Sequence, residues 1–552
     1  MIKIKTVSSL EKCFLDSDPD DFEQIDSISV LKNQRFSFQI IARPLGDDRL
    51  MHRLYAKFTA SGCLAPFVSA RTVEFIPSVF PCYPDNYDDN YLSTSPGLYP
   101  DLLLPAKDDT MSIIGGQTRA LWLTAQLDGS IAGDRTLDFT LSAGDNVLFS
   151  GAIKVHIIDA ELPPQTLINT QWFHSDCLST YYDAPVFSDR WWTIVRNFVD
   201  VAVKNGQNML LTPVFTPPLD TAVGGERPTV QLIDVYFDGK NYTFSYDNLD
   251  KWLNMANSAG IKYYEISHLF TQWGAACAPK IIAHTPEGTK RIFGWDTQAS
   301  DEEYKTFLRR FIPDFLTHMK ARGDDKRCFF HISDEPGADS LAVYMKSKKC
   351  VADLLDGYPV MDALSNIEFY KQGVIDRPVA AINHIQPFID EKVPDLWAYY
   401  CCGQCRGVSN RFFAMPSFRT RCIGFQLFKN DIAGFLHWGY NFYYSWCSRE
   451  FVDPYRDSSG NYFTPSGDCY SVYPAPDGTA YESLRLVVFY DALQDLRACR
   501  LLADLIGKSA VDDILERHLG TLSFDNCPHS ARPLLSARAA VNSAIEKALA
   551  KK

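Results

Sequence analysis

The sequence predicts three parts in order: an N-terminal antiparallel β-sandwich over residues 1–162, a (β/α)8 barrel over residues 165–505 and a helical tail over residues 506–552. Three observations predict this order. Short alternating strands dominate the first part, strands and amphipathic helices alternate in the second, and alanine-rich helical segments fill the end. A chain of 552 residues is also too long for one hydrophobic core, so we expect more than one domain.

The N-terminal part consists of short runs in which apolar and polar residues alternate. Examples are residues 35–43 (RFSFQIIAR), 120–127 (ALWLTAQL) and 152–158 (AIKVHII). Gly, Asp and Pro separate these runs, and no helical periodicity lies between them. Such a series is typical of an antiparallel sandwich. The two prolines of residues 161–164 (ELPP) then predict a linker.

After residue 165 the predicted strands alternate with helices. Ser188 is the expected N-cap of one helix, which ends at Gly206, and residues 300–303 (SDEE) form the capping box of another, which ends before Gly323. The count approaches eight strand–helix units, which suits a (β/α)8 barrel. An open doubly wound sheet is the alternative, although no Gly-x-Gly-x-x-Gly turn follows the first strand.

Composition restricts the partners of the chain. The net charge is −13, the pI is near 5.4 and no long run of Lys and Arg occurs, so we expect no nucleic-acid partner. No apolar run reaches 18 residues, so we expect no membrane span. The N-terminus has no stretch of signal-peptide length, and cytoplasmic localisation is expected, or extracellular if a leader has been removed. The aromatic content of 13% suits a sugar-binding cleft or a large aromatic core equally.

The cysteines do not have the pattern of a disulfide framework. Their number, 15, is odd, and two of them, Cys401 and Cys402, are neighbours. Together with Cys405 they have a spacing that zinc ligands use, but no second Cys/His pair follows at the spacing of a zinc finger. We therefore predict neither a metal ion nor an organic cofactor.

In a barrel, the C-terminal ends of the strands face the active site. Several predicted strands end in polar or aromatic side chains: His174 and Asp176, Glu265 and His268, Asp334 and Glu335, Asn383 and His384, Tyr399 and Tyr400, and Trp438 and Tyr440. Each of these alone is compatible with a capping or core role. Their recurrence at successive strand ends predicts a functional site there.

Asp334 and Glu335 are the strongest candidates, because they follow the most hydrophobic strand and precede Pro336. Neighbours in a regular strand point to opposite faces, so both reach one pocket only if the strand end is irregular. Two close carboxylates repel each other, and one then keeps its proton near neutral pH, as a general acid must. The structural alternative is a helix start, with both carboxylates at the positive end of the helix.

The segment 331–336 (HISDEP) resembles the catalytic segment of glycoside hydrolase family 123, the β-N-acetylgalactosaminidases. Five further segments resemble that family in the same order along the chain: 98–105 (LYPDLLLP), 116–123 (GQTRALWL), 397–402 (WAYYCC), 434–441 (GFLHWGYN) and 465–474 (PSGDCYSVYP). The resemblance therefore covers most of the chain. The short Ser-Asp-Glu-Pro motif is specific for the family only in combination with these other segments.

The resemblance implies a retaining exo-glycosidase that acts by substrate-assisted catalysis, in which the 2-acetamido oxygen of the sugar attacks the anomeric carbon. It implies that Glu335 protonates the leaving oxygen and later activates water. It implies that Asp334 holds the acetamido N–H and stabilises the oxazolinium. The substrate would carry a terminal β-linked N-acetylhexosamine, with GalNAc favoured over GlcNAc.

Several further residues at or near the predicted strand ends are expected to bind the sugar. One of Tyr399 and Tyr400 would hydrogen-bond the acetamido oxygen, because strand alternation turns the other away from the pocket. The remaining candidates are Trp438 and Tyr440 as a stacking wall, and Asn383, His331 and His174 at sugar hydroxyls. For His331 we favour a supporting role over direct contact.

Two alternatives remain open at this point. Glu265 is a candidate nucleophile, with Glu335 as acid and base, as in ordinary retaining glycosidases. A different class of function, a non-catalytic carbohydrate-binding protein, is the second alternative, although the presence of both Asp334 and Glu335 argues against it.

Overall fold

The structure is a computed structural model of the chain and describes residues 1–45 and 53–551. The described residues of the first part form ten strands: β1 (Ile2–Ser8), β2 (Ser27–Leu31), β3 (Arg35–Pro44), β4 (Leu54–Ser61), β5 (Val68–Ser78), β6 (Gly97–Pro105), β7 (Thr110–Ile113), β8 (Arg119–Gln126), β9 (Gly133–Ala143) and β10 (Asn146–Ile158).

These strands form two five-stranded sheets, in the orders β1-β3-β8-β5-β6 and β2-β10-β9-β4-β7. All their pairings are antiparallel except that of β2 with β10. One core lies between the sheets, with Phe38 and Leu123 from the first and Phe139 and Val155 from the second. The predicted N-terminal antiparallel sheet is therefore confirmed.

The first sheet is buried on both faces. Ile41 and Trp122 point away from the sandwich core and join the large core of the second part of the chain. Polar residues of β3 on this buried face find partners: the Arg35 guanidinium donates to Asn205 Oδ1 (2.8 Å), and the Gln39 amide donates to the carbonyl of Ser8 (3.0 Å). The sandwich is thus attached along a whole sheet face.

The second part contains the strands β11 (Ile168–Gln171), β12 (Met209–Thr212), β13 (Asp234–Phe237), β14 (Tyr242–Ser245), β15 (Tyr263–Ile266), β16 (Ile281–Thr285), β17 (Gly288–Phe293), β18 (Cys328–Phe330), β19 (Met361–Leu364), β20 (Arg377–Ala381), β21 (Trp397–Tyr399), β22 (Gly434–His437), β23 (Val472–Pro474) and β24 (Ala480–Glu482). Its helices are α1 (Ser175–Tyr182), α2 (Asp189–Lys204), α3 (Asp247–Ala259), α4 (Glu302–Arg322), α5 (Leu341–Lys349), α6 (Glu368–Lys371), α7 (Gln386–Asp390), α8 (Ser417–Lys429), α9 (Leu484–Ile506), α10 (Lys508–Leu519) and α11 (Ala531–Leu549).

Eight strands of this part are parallel and follow one another in chain order. Five pair as β11-β22-β21-β20-β19 and three as β12-β15-β18, and a single parallel bridge between Phe330 and Val360 joins the two sheets. The predicted alternation of strands and helices is present. A continuous (β/α)8 barrel is not confirmed, because β11 and β12 form no ladder in the described part of the chain.

Between β11 and β12, side chains make hydrogen bonds in place of a backbone ladder. Asn208, just before β12, accepts the backbone N–H of Asn169 through its side-chain oxygen (2.8 Å) and donates its amide to the carbonyl of Leu167 (2.9 Å). The Gln207 amide donates to the carbonyl of Gln171 (2.9 Å). Backbone groups that a neighbouring strand would satisfy are thus satisfied by two amide side chains.

The predicted helix limits hold with one correction. The Ser188 hydroxyl accepts the N–H of Trp191 at the start of α2 (3.2 Å), and Gly323 ends α4 in the left-handed conformation that suits glycine. The capping box at residues 300–303 is wrong in its details. The N-cap of α4 is Asp301 rather than Ser300, and its carboxylate accepts the N–H of Gln298 before the helix (2.9 Å).

The C-terminal helices pack back onto the sandwich. Arg538 of α11 donates to the side-chain oxygen of Gln34 (2.8 Å), and Asn542 donates to the carbonyl of Ser29 (2.8 Å). Within the described ranges, no helix has both the length and the apolar character needed to cross a bilayer. The predicted domain limits at residues 162 and 505 stay predictions.

Candidate active site

The backbone at Asp334 and Glu335 departs from strand geometry. β18 ends at Phe330, and Glu335 has a φ of 40°, in the left-handed region that residues other than glycine rarely adopt. Strict alternation therefore does not hold across the pair. Such a conformation is destabilising by roughly 1–3 kcal/mol and persists only where surrounding contacts impose it. Asp334 is partly exposed and Glu335 is exposed, so both carboxylates are accessible.

A neighbouring loop, residues 271–275, holds the segment from one side. The carbonyl of Asp334 accepts the N–H of Trp273 (2.8 Å). The Ser333 hydroxyl donates to the carbonyl of Thr271 (2.9 Å) and accepts the N–H of Ala275 (3.1 Å). These bonds tie the backbone on both sides of the Ser333–Asp334 peptide to the loop that follows β15.

Asp362 of β19 contacts the segment that leads to Asp334 and Glu335 from its buried side. Its carboxylate accepts the backbone N–H groups of Ile332 (3.1 Å) and Ser333 (3.3 Å), and the hydroxyl of Tyr344 (2.5 Å). Asp362 and Tyr344 are fully buried. A charged acceptor in this position fixes the two peptide groups that lead into the catalytic pair.

His331 links Asp362 to Glu265. Its Nδ1 lies 2.9 Å from Asp362 and its Nε2 lies 2.7 Å from Glu265. Burial lowers the pKa of His331, but the hydrogen bonds to the two carboxylates outweigh this effect and raise the pKa to about 10. His331 is therefore a buried imidazolium between two carboxylates.

Glu265 and His331 do not line the site. Both are fully buried, and Glu265 also accepts the hydroxyl of Thr170 (2.5 Å) and the indole N–H of Trp172 (2.7 Å). We therefore correct the assignment of Glu265 as a substrate-contacting residue, because its side chain has no surface open to a ligand. His331 is equally buried, which excludes direct contact and leaves the supporting role that we favoured for it. Both residues support the catalytic segment through Asp362.

Ligand atoms of His268, His331 and Asp362 lie within 4.8 Å of one another, a spacing compatible with a metal site. Both ring nitrogens of His331 are occupied by carboxylates, however, and the imidazolium that this arrangement favours has no lone pair to offer. The ring of His268 instead stacks on His331 at 4.2 Å. The geometry therefore fits a charged hydrogen-bond chain better than a metal centre.

The two carboxylates of the pair compete for a proton. Burial raises the pKa of Asp334 well above its usual range, the negative charge of Glu335 raises it further, and the His331 cation lowers it. Desolvation by neighbouring protein groups also raises the pKa of Glu335, while a hydrogen bond from Tyr399 lowers it. The two groups therefore titrate as a coupled pair, and burial disfavours the state in which both are ionised.

Tyr399 and Tyr400 differ in direction. The Tyr399 hydroxyl donates to Glu335 Oε1 (2.8 Å), so this side chain faces the pair. Tyr400 is fully buried and packs against Phe435 and His437. Strand alternation thus holds at β21, and Tyr400 is removed from the candidates because its ring lies in the core on the other face.

Trp438 and Asn383 remain accessible at the strand ends. Trp438 is partly exposed, and its indole N–H donates to Asp468 Oδ2 (2.8 Å), which fixes the orientation of the ring. Asn383 is exposed, and its side-chain oxygen accepts the amide of Gln404 (2.8 Å). Both stay predicted sugar-binding residues.

His174 and Tyr440 lie behind the site. Burial and the Arg227 cation lower the pKa of His174 well below its usual range, so the ring is neutral; its Nε2 donates to the carbonyl of Trp438 (2.9 Å). The Tyr440 hydroxyl donates to the carbonyl of Phe198 (2.9 Å), deep in the core. We correct both assignments, because hydrogen bonds to backbone carbonyls hold these buried side chains away from any ligand.

Sequence reasoning missed Asp362, Asp468 and Asp220. Asp362 stands within the apolar run 360–364 (VMDAL), and a carboxylate in such a run is a signal of a buried polar contact. Asp468 lies inside a segment quoted for its family resemblance, but nothing in the segment marked its role. Asp220 lies in a loop whose composition carries no signal.

Residues 172–502 match the family described as glycoside hydrolase 123, catalytic domain, and this is more than half of the chain. The chain belongs to glycoside hydrolase family 123. Family membership makes it a glycosidase that acts on carbohydrate, and it confirms the family resemblance of the sequence. Comparison with curated proteins gave no match.

Among solved structures, this family 123 member is similar to a family 123 glycoside hydrolase from Clostridium perfringens, solved in work on glycolipid glycan hydrolysis. The TM-score is 0.76 at 12% identity, over 100% of this chain and 99% of the other, so the fold is shared. A family 39 glycoside hydrolase from Bacteroides cellulosilyticus WH2 has a TM-score of 0.32 at 9% identity, over 88% of this chain and 82% of the other. That overlap is too low to carry an argument.

Proposed function

We propose that this family 123 protein is a retaining exo-glycosidase that releases terminal β-linked N-acetylgalactosamine, with the 2-acetamido oxygen of the substrate as nucleophile. One observation carries the proposal: Asp334 and Glu335 are adjacent, accessible and electrostatically unequal, since the His331 cation acts on the first and the Tyr399 hydroxyl bonds the second. When the nucleophile is part of the substrate, the protein has to supply only such a pair of carboxyl groups. The acetamido oxygen and the anomeric carbon belong to the same sugar, so the attack is intramolecular.

The reaction uses the pair as follows. The acetamido oxygen attacks the anomeric carbon while Glu335 donates its proton to the leaving oxygen, and the resulting oxazolinium keeps its positive N–H beside the Asp334 carboxylate. Glu335, now anionic, then takes a proton from water, and the hydroxide opens the oxazoline ring at the anomeric carbon. Two inversions give retention.

Substrate binding determines which carboxyl group of the pair, Asp334 or Glu335, carries the proton. In the free protein, burial raises the pKa of both carboxyl groups, so we place one proton on the pair as a unit. An acetamido N–H that donates to Asp334 stabilises its anion, and the proton then passes to Glu335, where the leaving group needs it.

The alternative with Glu265 as nucleophile has less support. Glu265 is fully buried, and three donors occupy its two oxygens, so neither oxygen is free or open to an anomeric carbon.

We also propose that the eight parallel strands form a (β/α)8 barrel. Their order around the two sheets is the order of the chain, β22 pairs with β11, and the Asn208 N–H donates to the carbonyl of Asn169 (3.1 Å) across the junction without a ladder. Every site residue then comes from the C-terminal side of a strand, as in barrel enzymes.

The test compares aryl β-glycosides of GalNAc, GlcNAc and galactose, each with and without a thiazoline mimic of the oxazoline. We expect hydrolysis of the acetamido sugars, GalNAc first, with thiazoline inhibition and no turnover of the galactoside. Equal turnover of the galactoside, or labelling of Glu265 by a fluorosugar, would overturn the mechanism. Preference for GlcNAc would overturn the sugar assignment, and sugar binding without any turnover would favour the non-catalytic alternative.

A further inference from the structure

Asp220 brings a third carboxylate to the catalytic pair. It lies in the loop that follows β12, and its Oδ2 atom is buried without a hydrogen-bond partner among the described residues. Its backbone φ is 45°, again in the left-handed region. A buried, unpartnered carboxylate oxygen is unfavourable by about 1–3 kcal/mol or more, and such exceptions in native proteins call for an explanation.

Two neighbouring segments hold the backbone of Asp220 and Thr221, and the Oδ2 atom of Asp220 takes no part in these contacts. The Gln272 side-chain oxygen accepts the N–H of Asp220, and the Gln272 amide donates to the carbonyl of Thr221 (3.2 Å). The Ser448 hydroxyl donates to the carbonyl of Asp220 (2.7 Å). These bonds fix the backbone of the loop, and a hydrogen bond from the backbone of Cys447 to the Asp220 carboxyl group lowers the pKa of that group.

This loop lies beside the catalytic pair. Gln272 precedes Trp273, whose N–H donates to the carbonyl of Asp334. The Asp220 charge is close enough to raise the pKa of Asp334. Asp220, Asp334 and Glu335 thus follow β12 and β18 on the same side of the strands.

Arg227, whose charge lowers the pKa of Asp220, makes its hydrogen bonds to other groups. The Arg227 guanidinium donates to both oxygens of Asp176 (2.9 and 2.7 Å) and to the carbonyl of Leu219 (3.0 Å). The Oδ2 atom of Asp220 therefore has no donor among the described residues, and a bound ligand would supply one. Ring hydroxyls of a sugar are such donors, and a carboxylate, when ionised, only accepts.

We propose that Asp220 is a specificity-determining residue that accepts a hydrogen bond from one ring hydroxyl of the sugar held by Asp334 and Glu335. This inference rests on the proposed function. In this proposal the substrate supplies the hydrogen-bond donor for the Oδ2 atom of Asp220. The loop after β12 then contributes to recognition of the sugar ring, although its sequence does not indicate such a role.

The test combines Asp220→Asn with aryl β-GalNAc substrates that lack the hydroxyl at C3, C4 or C6. Asn tolerates the left-handed backbone, so the substitution changes the charge and not the loop. We expect kcat/KM on the parent sugar to fall about 10–100-fold, the equivalent of one hydrogen bond to a charged group. On the deoxy sugar that lacks the hydroxyl bonded by Asp220, the kcat/KM values of the variant and the wild type should differ by less than about 3-fold.

Asp183→Asn is the matched control, because Asp183 is exposed and also left-handed (φ 46°) at the end of α1. It should leave all rates unchanged. Equal losses for Asp220→Asn on the parent and all three deoxy sugars would overturn the inference.

A second measurement does not depend on the variant. The wild type itself should lose at least about 10-fold on the deoxy sugar that lacks the bonded hydroxyl. Loss of less than 3-fold on all three would overturn the role of Asp220 even if Asp220→Asn fails to fold. Failure of the proposed function is distinct from this, since the wild type would then hydrolyse no acetamido glycoside at all.

Discussion

At the scale of single residues, the catalytic pair depends on one unusual backbone angle. Glu335 is left-handed, and the bonds from Asp362 and from residues 271–275 hold the segment that leads to it. Neighbouring residues of a strand serve one pocket only after such a departure from regular geometry. The buried chain of Glu265, His331 and Asp362 therefore acts through position, while Asp334 and Glu335 meet the substrate.

Glu335→Gln removes the proton donor. We expect a loss of about 10²–10⁴-fold in kcat/KM on substrates with poor leaving groups and of less than about 10-fold on a dinitrophenyl glycoside, because only the former need protonation. Glu368→Gln, at an exposed position of α6, is the control and should be silent. Equal losses on both kinds of substrate would contradict the acid role.

Asp334→Asn removes the charge that faces the acetamido group. We expect the rate to fall by about 10²–10³-fold even on activated substrates, because the oxazolinium loses its counter-charge regardless of the leaving group. The affinity for a thiazoline should fall as well, as a titration of the inhibitor would measure. Wild-type rates on the dinitrophenyl glycoside would remove Asp334 from the mechanism.

His331 makes stability depend on pH. Its pKa rises from 6.5 to about 10 on folding, so the folded protein binds this proton more tightly than the unfolded chain. The stabilisation is complete below about pH 6.5 and is lost as the pH rises towards about 10. The difference in urea midpoint between wild type and His331→Gln should shrink over this range. A constant difference would show that His331 is not charged in the folded state, and the exposed His518→Gln should show no difference.

At the scale of elements, helix α8 shows how tertiary contacts replace amphipathic pattern. Residues 417–428 are all buried, including Arg419 and Arg421. Arg419 pairs with Asp88 of the N-terminal part (2.9 Å), and Arg421 pairs with Asp495 of α9 (2.7 Å). Their charges are thus satisfied by residues far away in sequence, which no local periodicity predicts.

Gly424 lets α8 approach α9. A Cβ at this position would collide with the carbonyl of Ala492, so Gly424→Ala should force the helices apart and destabilise the protein by about 1–3 kcal/mol or more. Gly97→Ala is the control, because a Cβ there meets open space. Urea unfolding of both variants measures the effect. A Gly424→Ala midpoint equal to that of Gly97→Ala would contradict the close packing.

At the scale of the whole molecule, the sandwich and the parallel-strand part share a buried ion pair. Asp101 of β6 and Arg485 of α9 are fully buried and lie 2.7 Å apart, and Arg485 also donates to the carbonyls of Gly467 (2.6 Å) and Tyr470 (2.8 Å). The pair joins the sheet face of the sandwich to the segment that carries Asp468. The sandwich is thereby part of the support of the site.

Asp101→Asn leaves the Arg485 cation buried without its counter-charge. We expect a loss of about 3–5 kcal/mol in the free energy of unfolding, measured by urea denaturation. The exposed pair of Arg309 and Asp353, with side chains 54% and 59% exposed, supplies the control, and Asp353→Asn should not change the midpoint. Equal midpoints for the two variants would show that the pair contributes nothing to the junction.

Local pattern and family resemblance determined much of this protein from the sequence alone. Period-two runs such as residues 35–43 predicted the antiparallel sheets, caps such as Ser188 predicted helix limits, and the segment 331–336 pointed to family 123. These features are local, because hydrogen-bonding periods and cap geometry depend on a few neighbouring residues. Only the tertiary structure decided which candidates line the site. Burial removed Glu265, His331, His174, Tyr400 and Tyr440 from its surface. Loop packing brought Asp220 to the catalytic pair, and strand β19 placed the buried Asp362 behind the catalytic segment, since these contacts join residues far apart in the chain.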